Sequence, residues 1–237
     1  MEAVAARPVE IDCDGRTTRE VNQAIKRAAA EGATEIHVLN PAGRHNLCVA
    51  LFHEVTVRLR GPVGWYCAGM LDGGTLVVEG NCGWGVAENT MSGRVEVHGH
   101  AGTGAGATMR GGELYVGGDA GARAGISLKG GRVVVGGGVG YMSGFMMQKG
   151  SLIVCGDAGE ALGDSMYEGR IFVAGRVASL GADAVEAELE ADDLELVRSE
   201  LESHGIELDP GSFRKIVSGR RLWNFSKKEF EVWKVAL

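Results

Sequence analysis

The groups in this chain that could do chemistry are six histidines, five cysteines and a scatter of carboxylates at glycine turns. His98 and His100 flank Gly99 on one strand, where two imidazoles could meet one metal ion. No cysteine or carboxylate completes a recognisable ligand set around them, so they are expected to be exposed turn histidines. The turn carboxylates Asp119, Asp157, Glu160 and Asp164 fit no paired spacing for acid–base work and are read as solvated corners. Gly102-Thr103-Gly104-Ala105-Gly106 is a G-x-G-x-G run, but it falls inside a longer repeat and is not counted as a phosphate cradle. A G-x-S-x-G nucleophile elbow is absent. The cysteines (Cys13, Cys48, Cys67, Cys82, Cys155) are odd in number and lack C-x-x-C spacing, which favours reduced thiols in a cytoplasmic protein. No residue is assigned to catalysis, cofactor binding or a metal.

What must position any function is a repeat. Gly61, Gly80, Gly99, Gly118, Gly137, Gly156 and Gly175 stand nineteen residues apart. Two further glycine rows keep the register, three residues on (Gly64 to Gly159) and thirteen residues on (Gly74 to Gly169). Before each new turn comes a strand triplet, such as Leu76-Val77-Val78, Leu114-Tyr115-Val116 and Ile171-Phe172-Val173. The first and third members are always aliphatic, and alternation puts both on one face. Stacked, they line the inside of a tube. Small residues fill two more inward rows, one from Val63 through Cys82 to Ala158 and one from Cys67 to Leu162, so Cys67 and Cys82 are read as packing. Glycine is expected at the corners for positive φ and for close stacking of neighbouring coils. The fold class is all-β, a parallel β-helix whose six gaps span roughly 29 Å at about 4.8 Å per coil.

Two rows face outward with apolar character. The middle triplet residues include Tyr115, Val134, Ile153 and Phe172, and a second set follows the paired glycines at Trp65, Trp84 and Tyr141. Exposed apolar stripes mark contact surfaces. One of these faces is expected to be covered by another polypeptide. For the triplet row, cover by the chain's own ends is an equal alternative.

The ends read differently from the coil. Residues 1–56 are expected to form an N-terminal α/β cap: Thr17-Thr18-Arg19-Glu20 starts a helix, 34–39 is a strand, and the stretch from Leu47 to Leu59 makes an irregular first coil. The β-helix runs over 57–182. Residues 183–237 are expected to hold C-terminal helices, one beginning at Asp192 or Asp193 and a short one at Asp209-Pro210. The tail alternates basic and aromatic residues, among them Trp223 and Phe225, and either folds back over the coil or docks on a partner subunit. The net charge of −7 argues against a nucleic-acid groove. No apolar run approaches a membrane span, and no signal peptide is read at the start.

The coil, with its Gly102-x-Gly104-x-Gly106 core, resembles the GXGXG family. That family includes the C-terminal domain of the glutamate synthase large subunit and the C subunit of formylmethanofuran dehydrogenase, both right-handed β-helices. The likeness to the glutamate synthase domain covers about 10–182, including the helix Glu20–Glu31, the strand Glu35-Ile36-His37-Val38-Leu39 and Leu76-Val77-Val78-Glu79-Gly80-Asn81. The tail from about 185 resembles stand-alone versions more weakly. The resemblance implies a scaffold subunit in a hetero-oligomeric complex, with a glutaminase-like subunit and an FMN-binding subunit carrying an iron–sulfur cluster as separate chains. N-methylglutamate synthase is the expected complex, and a formylmethanofuran dehydrogenase-type C subunit is the alternative. A free-standing hydrolase is the reading from another class.

Overall fold

In the computed structural model, which describes residues 7–220, a single mixed sheet of eleven strands winds through the chain. The strands are β1 (Val9–Asp12), β2 (Glu35–Leu39), β3 (Thr56–Arg60), β4 (Thr75–Val78), β5 (Arg94–Val97), β6 (Glu113–Val116), β7 (Lys129–Val135), β8 (Lys149–Val154), β9 (Arg170–Val173), β10 (Ala184–Ala187) and β11 (Arg214–Ser218). From β1 to β9 every neighbour is parallel, and from β3 onward residue i faces residue i+19, as Leu76 faces Val95 and Val95 faces Leu114. The sole register shift in this run lies between β7 and β8, at Lys129. On another side of the tube, single-residue parallel bridges run from Val63 through Cys82, Ala101, Ala120 and Val139 to Ala158 and Val177. The chain is a parallel β-helix of about seven turns.

The inward rows form the core as expected. Leu76, Val95, Leu114, Val133, Leu152 and Ile171 are fully buried, and so are the valines two residues on. A further row, Leu71, Thr90, Met109, Leu128, Met147 and Met166, is equally buried and completes the column. Burying a side chain of this size is worth about 1.5–3 kcal/mol, so the column outweighs the local cost of the corners.

The corners do not all work as the glycine rows suggest. The glycines of the nineteen-residue row mostly have ordinary φ. They are required because a Cβ there would strike the previous coil: at Gly156 it would lie 2.7 Å from the carbonyl carbon of Gly137. Positive φ is needed elsewhere. Some of those positions are glycine, such as Gly131 (φ 76), but whole rows are not. Tyr66, Arg123, Met142 and Ala161 share one left-handed row, and Met70, Asn89, Thr108, Ser127, Met146 and Ser165 share another. Each left-handed non-glycine residue carries a steric cost, and the coil tolerates it because the turn's amides donate to carbonyls on both neighbouring coils. Tyr66 N donates to Trp84 O at 2.7 Å and Ala87 N to Cys67 O at 2.9 Å.

The ends correct two expectations. The N-terminal segment is not a separate cap: β1 and β2 carry the ladder back by two rungs, with Val9 facing Ile36 and Ile36 facing Val57. Helix α1 (Thr18–Ala30) opens with a capping box between Thr17 and Glu20 and sends Val21 and Ile25 into the same core. The second correction concerns the C-terminal helices. The described part has one, α2 (Ala191–Ser203), and the Asp209-Pro210 start yields only a single 3₁₀ turn at Pro210–Ser212. The chain then reverses. Strand β11 pairs antiparallel with both β9 and β10, so the last rung is covered by a hairpin rather than left as a bare edge. No helix among the described residues is long and apolar enough to cross a membrane.

Candidate functional site

The outward triplet row is occupied by the chain itself. Val134, Ile153 and Phe172 are fully buried in a second cluster with Val197 and Leu201 of α2 and with Phe213; Tyr115, Leu189 and Ile206 pack against it. These four outward residues are therefore not a surface for another polypeptide in this structure. The alternative of cover by the chain's own terminal segment is the one observed. An apolar strip beside a helix-forming stretch buries against it once the connection allows, and seventeen residues (174–190) separate β9 from α2.

Buried charge clamps α2 at both ends. At its start Asp193 has no exposed surface. It accepts from Arg170 Nη1 at 2.7 Å, Lys215 Nζ at 2.6 Å and the amide of Glu190 at 3.0 Å. Burial alone would push this carboxyl up, but the Lys215 ammonium, the Glu190 amide and Arg170 outweigh it and hold it below the usual range. At the other end His204 stacks on Tyr115 with ring centres 3.7 Å apart, and its Nε2 lies 3.1 Å from Glu113 Oε1. A carboxylate only accepts, so that nitrogen carries the proton. Arg132 reaches Glu113 at 3.1 Å and Glu200 at 2.6 Å.

Glu113, Glu200 and His204 are the group in the described residues with ligand-capable atoms close enough for a metal ion, all within 4.8 Å. Most of their ligand atoms are engaged, while Glu200 Oε2 is buried without a hydrogen-bond partner. Arg132 bridges both carboxylates and Arg94 lies 3.6 Å from Glu113, so two guanidiniums supply the positive charge that an ion would bring. The arrangement is a structural clamp.

The clamp has a consequence for pH. The His204 hydrogen bond, opposed by burial and helped by Arg132 and Arg94, holds Glu113 down at about 2. A carboxyl depressed on folding stabilises the fold above its unfolded range and loses that contribution as pH falls through the folded value. Glu200 shifts the other way, raised by burial and by the Glu113 charge, so its protonation relieves part of the cost. Glu113→Gln is expected to flatten the loss of stability between the ordinary carboxylate range and about pH 2. Urea melts across that range check it, and a pH profile identical to that of the unaltered protein contradicts it.

Most of the turn residues expected to be merely solvated have a second role. Asp119, Asp157 and Asp164 cap amides one coil ahead, as do Asn81 and His100; Glu160 does not. Asn81 Oδ1 accepts from His100 N at 2.8 Å, His100 Nδ1 from Asp119 N at 2.9 Å, Asp119 Oδ1 from Gly138 N at 2.8 Å and Asp157 Oδ1 from Arg176 N at 2.8 Å. His98 and His100 are both exposed, as expected, and His100 is also engaged with the backbone. The G-x-G-x-G run lies within one coil, where Gly104 and Gly106 take positive φ. The cysteines are free and at least partly buried; burial pushes the Cys82 thiol up to about 12 and Cys155 to about 11, which makes both inert.

The second outward row is not covered by the described residues. Trp65, Trp84 and Tyr141 are about half exposed. His45, Trp65 and Trp84 stack in a file with ring centres 4.4 and 5.3 Å apart. Glycine makes this possible: a Cβ at Gly83 would lie 2.6 Å from the Trp65 ring, and one at Gly102 2.6 Å from the Trp84 ring. The rings are held before any partner arrives, which lowers the ordering cost of binding. Phe52, Tyr66, Met70 and Met91 add exposed apolar area on the same coils. Trp223 and Phe225 lie outside the described residues.

Among known proteins, the chain is similar to Protein GlxC of Rhizobium meliloti (strain 1021), at 46% identity over 68 residues. That match spans 28% of this chain and 29% of the relative's length. The pattern described as the GXGXG motif matches residues 12–218, from β1 through β11, and the chain belongs to the GXGXG family.

Proposed function

We propose that this chain is a non-catalytic scaffold subunit of a glutamate synthase-like complex. More narrowly, we place it in N-methylglutamate synthase (methylamine–glutamate N-methyltransferase), between a glutaminase-like subunit and an FMN-binding subunit. The observation that carries this reading is the uninterrupted ladder of eleven strands with one aliphatic core. Membership of the GXGXG family supports it. Every coil hydrogen-bonds to its neighbours, so the tube resists bending and holds whatever it binds at fixed separation. Coupled active sites need that: a misplacement of about 1 Å can cost about 10²-fold in rate.

Several of the side chains that could have served chemistry are engaged in holding the coil. His100, Asp119 and Asp157 cap amides, and Glu113, Glu200 and His204 secure α2. The exposed rings of Trp65, Trp84 and Tyr141 are the contacts offered to neighbouring subunits, since rigid aromatic anchors supply most interface energy. Tagged full-length chain, isolated from cells that make the whole assembly, should bring down a glutaminase-like protein and a flavoprotein identifiable by mass spectrometry. Recovery of amidohydrolase and formyltransferase subunits in their place would overturn the reading.

A further inference from the structure

The described residues stop at Arg220, and Arg220 is itself part of a cavity wall. Strand β11 ends at Ser218, beside an open cavity of about 410 Å³. Val217, Ser218 and Arg220 line it together with Tyr167 and Glu168. A second cavity, of about 400 Å³, continues from Tyr167 and Glu168 to Met146 and Gln148. These belong to adjacent coils: Tyr167 N donates to Met147 O at 2.7 Å and Glu168 N to Gln148 O at 3.1 Å. Because the two cavities share Tyr167 and Glu168, they form one trench that begins where residue 221 leaves the described fold.

The trench has an apolar floor and an acidic edge. Met146 and Tyr167 are each 39% exposed, and Glu168 is exposed beside them. The cations of the first cavity, Arg170 and Lys215, are held by Asp193. Among the described residues no cation pairs with Glu168. Residues 221–237 have the complementary chemistry. They carry Trp223, Phe225, Phe230 and Trp233, and four cations (Arg221, Lys227, Lys228, Lys234) against two carboxylates (Glu229, Glu231).

We propose that the chain's own tail occupies this trench, with Trp223 against Tyr167, Phe225 against Met146 and the excess positive charge of the tail on Glu168. In an extended chain residues two apart share a face, so Trp223 and Phe225 turn inward together while Asn224 and Ser226 face water. Reach is no obstacle. Five extended residues span about 16 Å, and adjacent coils lie about 4.8 Å apart. Tethering decides between this occupant and a partner. A short tether holds its ligand at an effective concentration near the millimolar range, which a separate chain must outcompete. Trp223 and Phe225 then belong to this chain's own fold, while Trp65 and Trp84, on earlier coils, stay available to other subunits. The inference does not depend on which complex the coil serves.

Hydrogen exchange of the isolated full chain, read by mass spectrometry, tests it. Amides of 222–226 should exchange about tenfold or more slower than the same amides in a synthetic peptide of 221–237. Trp223→Ser and Tyr167→Ala should each bring them to the peptide's rate. Glu168→Lys should speed them several-fold, while the amides of β8 and β9 keep their protection in all three variants. The slowing should be the same at every protein concentration. Peptide-like exchange in the unaltered chain would overturn the proposal, and so would slowing that survives Tyr167→Ala or ignores Glu168→Lys. Slowing that appears only as concentration rises would assign the trench to a second copy and overturn it equally.

Discussion

Replacing Phe172 by alanine is expected to cost about 3–5 kcal/mol and to free α2 from the coil. Among the described residues Phe172 is the largest fully buried side chain. It lies on the outward face of β9, under Val197 and Leu201 of α2 and beside Phe213, with the Arg170 guanidinium 5.9 Å from its ring centre. Truncation opens a cavity where coil and helix meet. The inward column, one residue to either side at Ile171 and Val173, is untouched. The loss should therefore be local as well as global. Denaturant melts give the magnitude, and hydrogen exchange should show amides of Ala191–Ser203 losing protection before those of β4 to β8. A cost under about 1 kcal/mol, or exchange that rises evenly, would mean that α2 is not seated by this ring.

The second large effect separates two kinds of glycine. Gly156→Ala is expected to destabilise by about 1–3 kcal/mol or more, because the added Cβ meets only backbone. It would lie 2.7 Å from Gly137 C and 2.8 Å from Gly138 N, and neither can move without spreading two coils. Gly104→Ala, within the motif that gives the family its description, is expected to stay within about 1–2 kcal/mol. Its φ is 74° and a Cβ there meets nothing within 4 Å. Alanine already occupies the same row at Ala161 with φ 56°. Thermal melts of the two variants decide it. Equal losses would show that backbone conformation, and not the spacing of coils, is what glycine supplies.

The inner architecture was legible because it depends on residue type at fixed spacing. Triplets such as Leu114-Tyr115-Val116 name their own inward positions, and all of those are buried. The extent of the ladder was less so. Val9–Asp12 and Glu35–Leu39 are rungs without the nineteen-residue glycine mark, and they looked like a cap. The left-handed rows were hidden because Tyr66, Arg123 and Met142 have no intrinsic taste for that conformation; hydrogen bonds to two neighbouring coils impose it. The amide caps at Asn81, His100, Asp119 and Asp157 share a row but three different side-chain chemistries. The clamp is more remote still. His204 meets Glu113 across 91 residues of sequence, and only folding of α2 onto the outward row brings them together. The apolar triplet row was visible, but its cover was not, since a helix of the same chain and a helix of another would bury it equally well.

The central claim is that a stiff coil with no reacting groups of its own holds two active sites in working relation. It is tested most directly by glutamine-dependent product formation in an assembly rebuilt from purified subunits, with and without this chain. The two partial reactions, glutamine hydrolysis and flavin reduction, should survive omission of the coil, while their coupling falls to background and returns when it is added. Full coupled turnover in its absence, or turnover by this chain alone, would contradict the account.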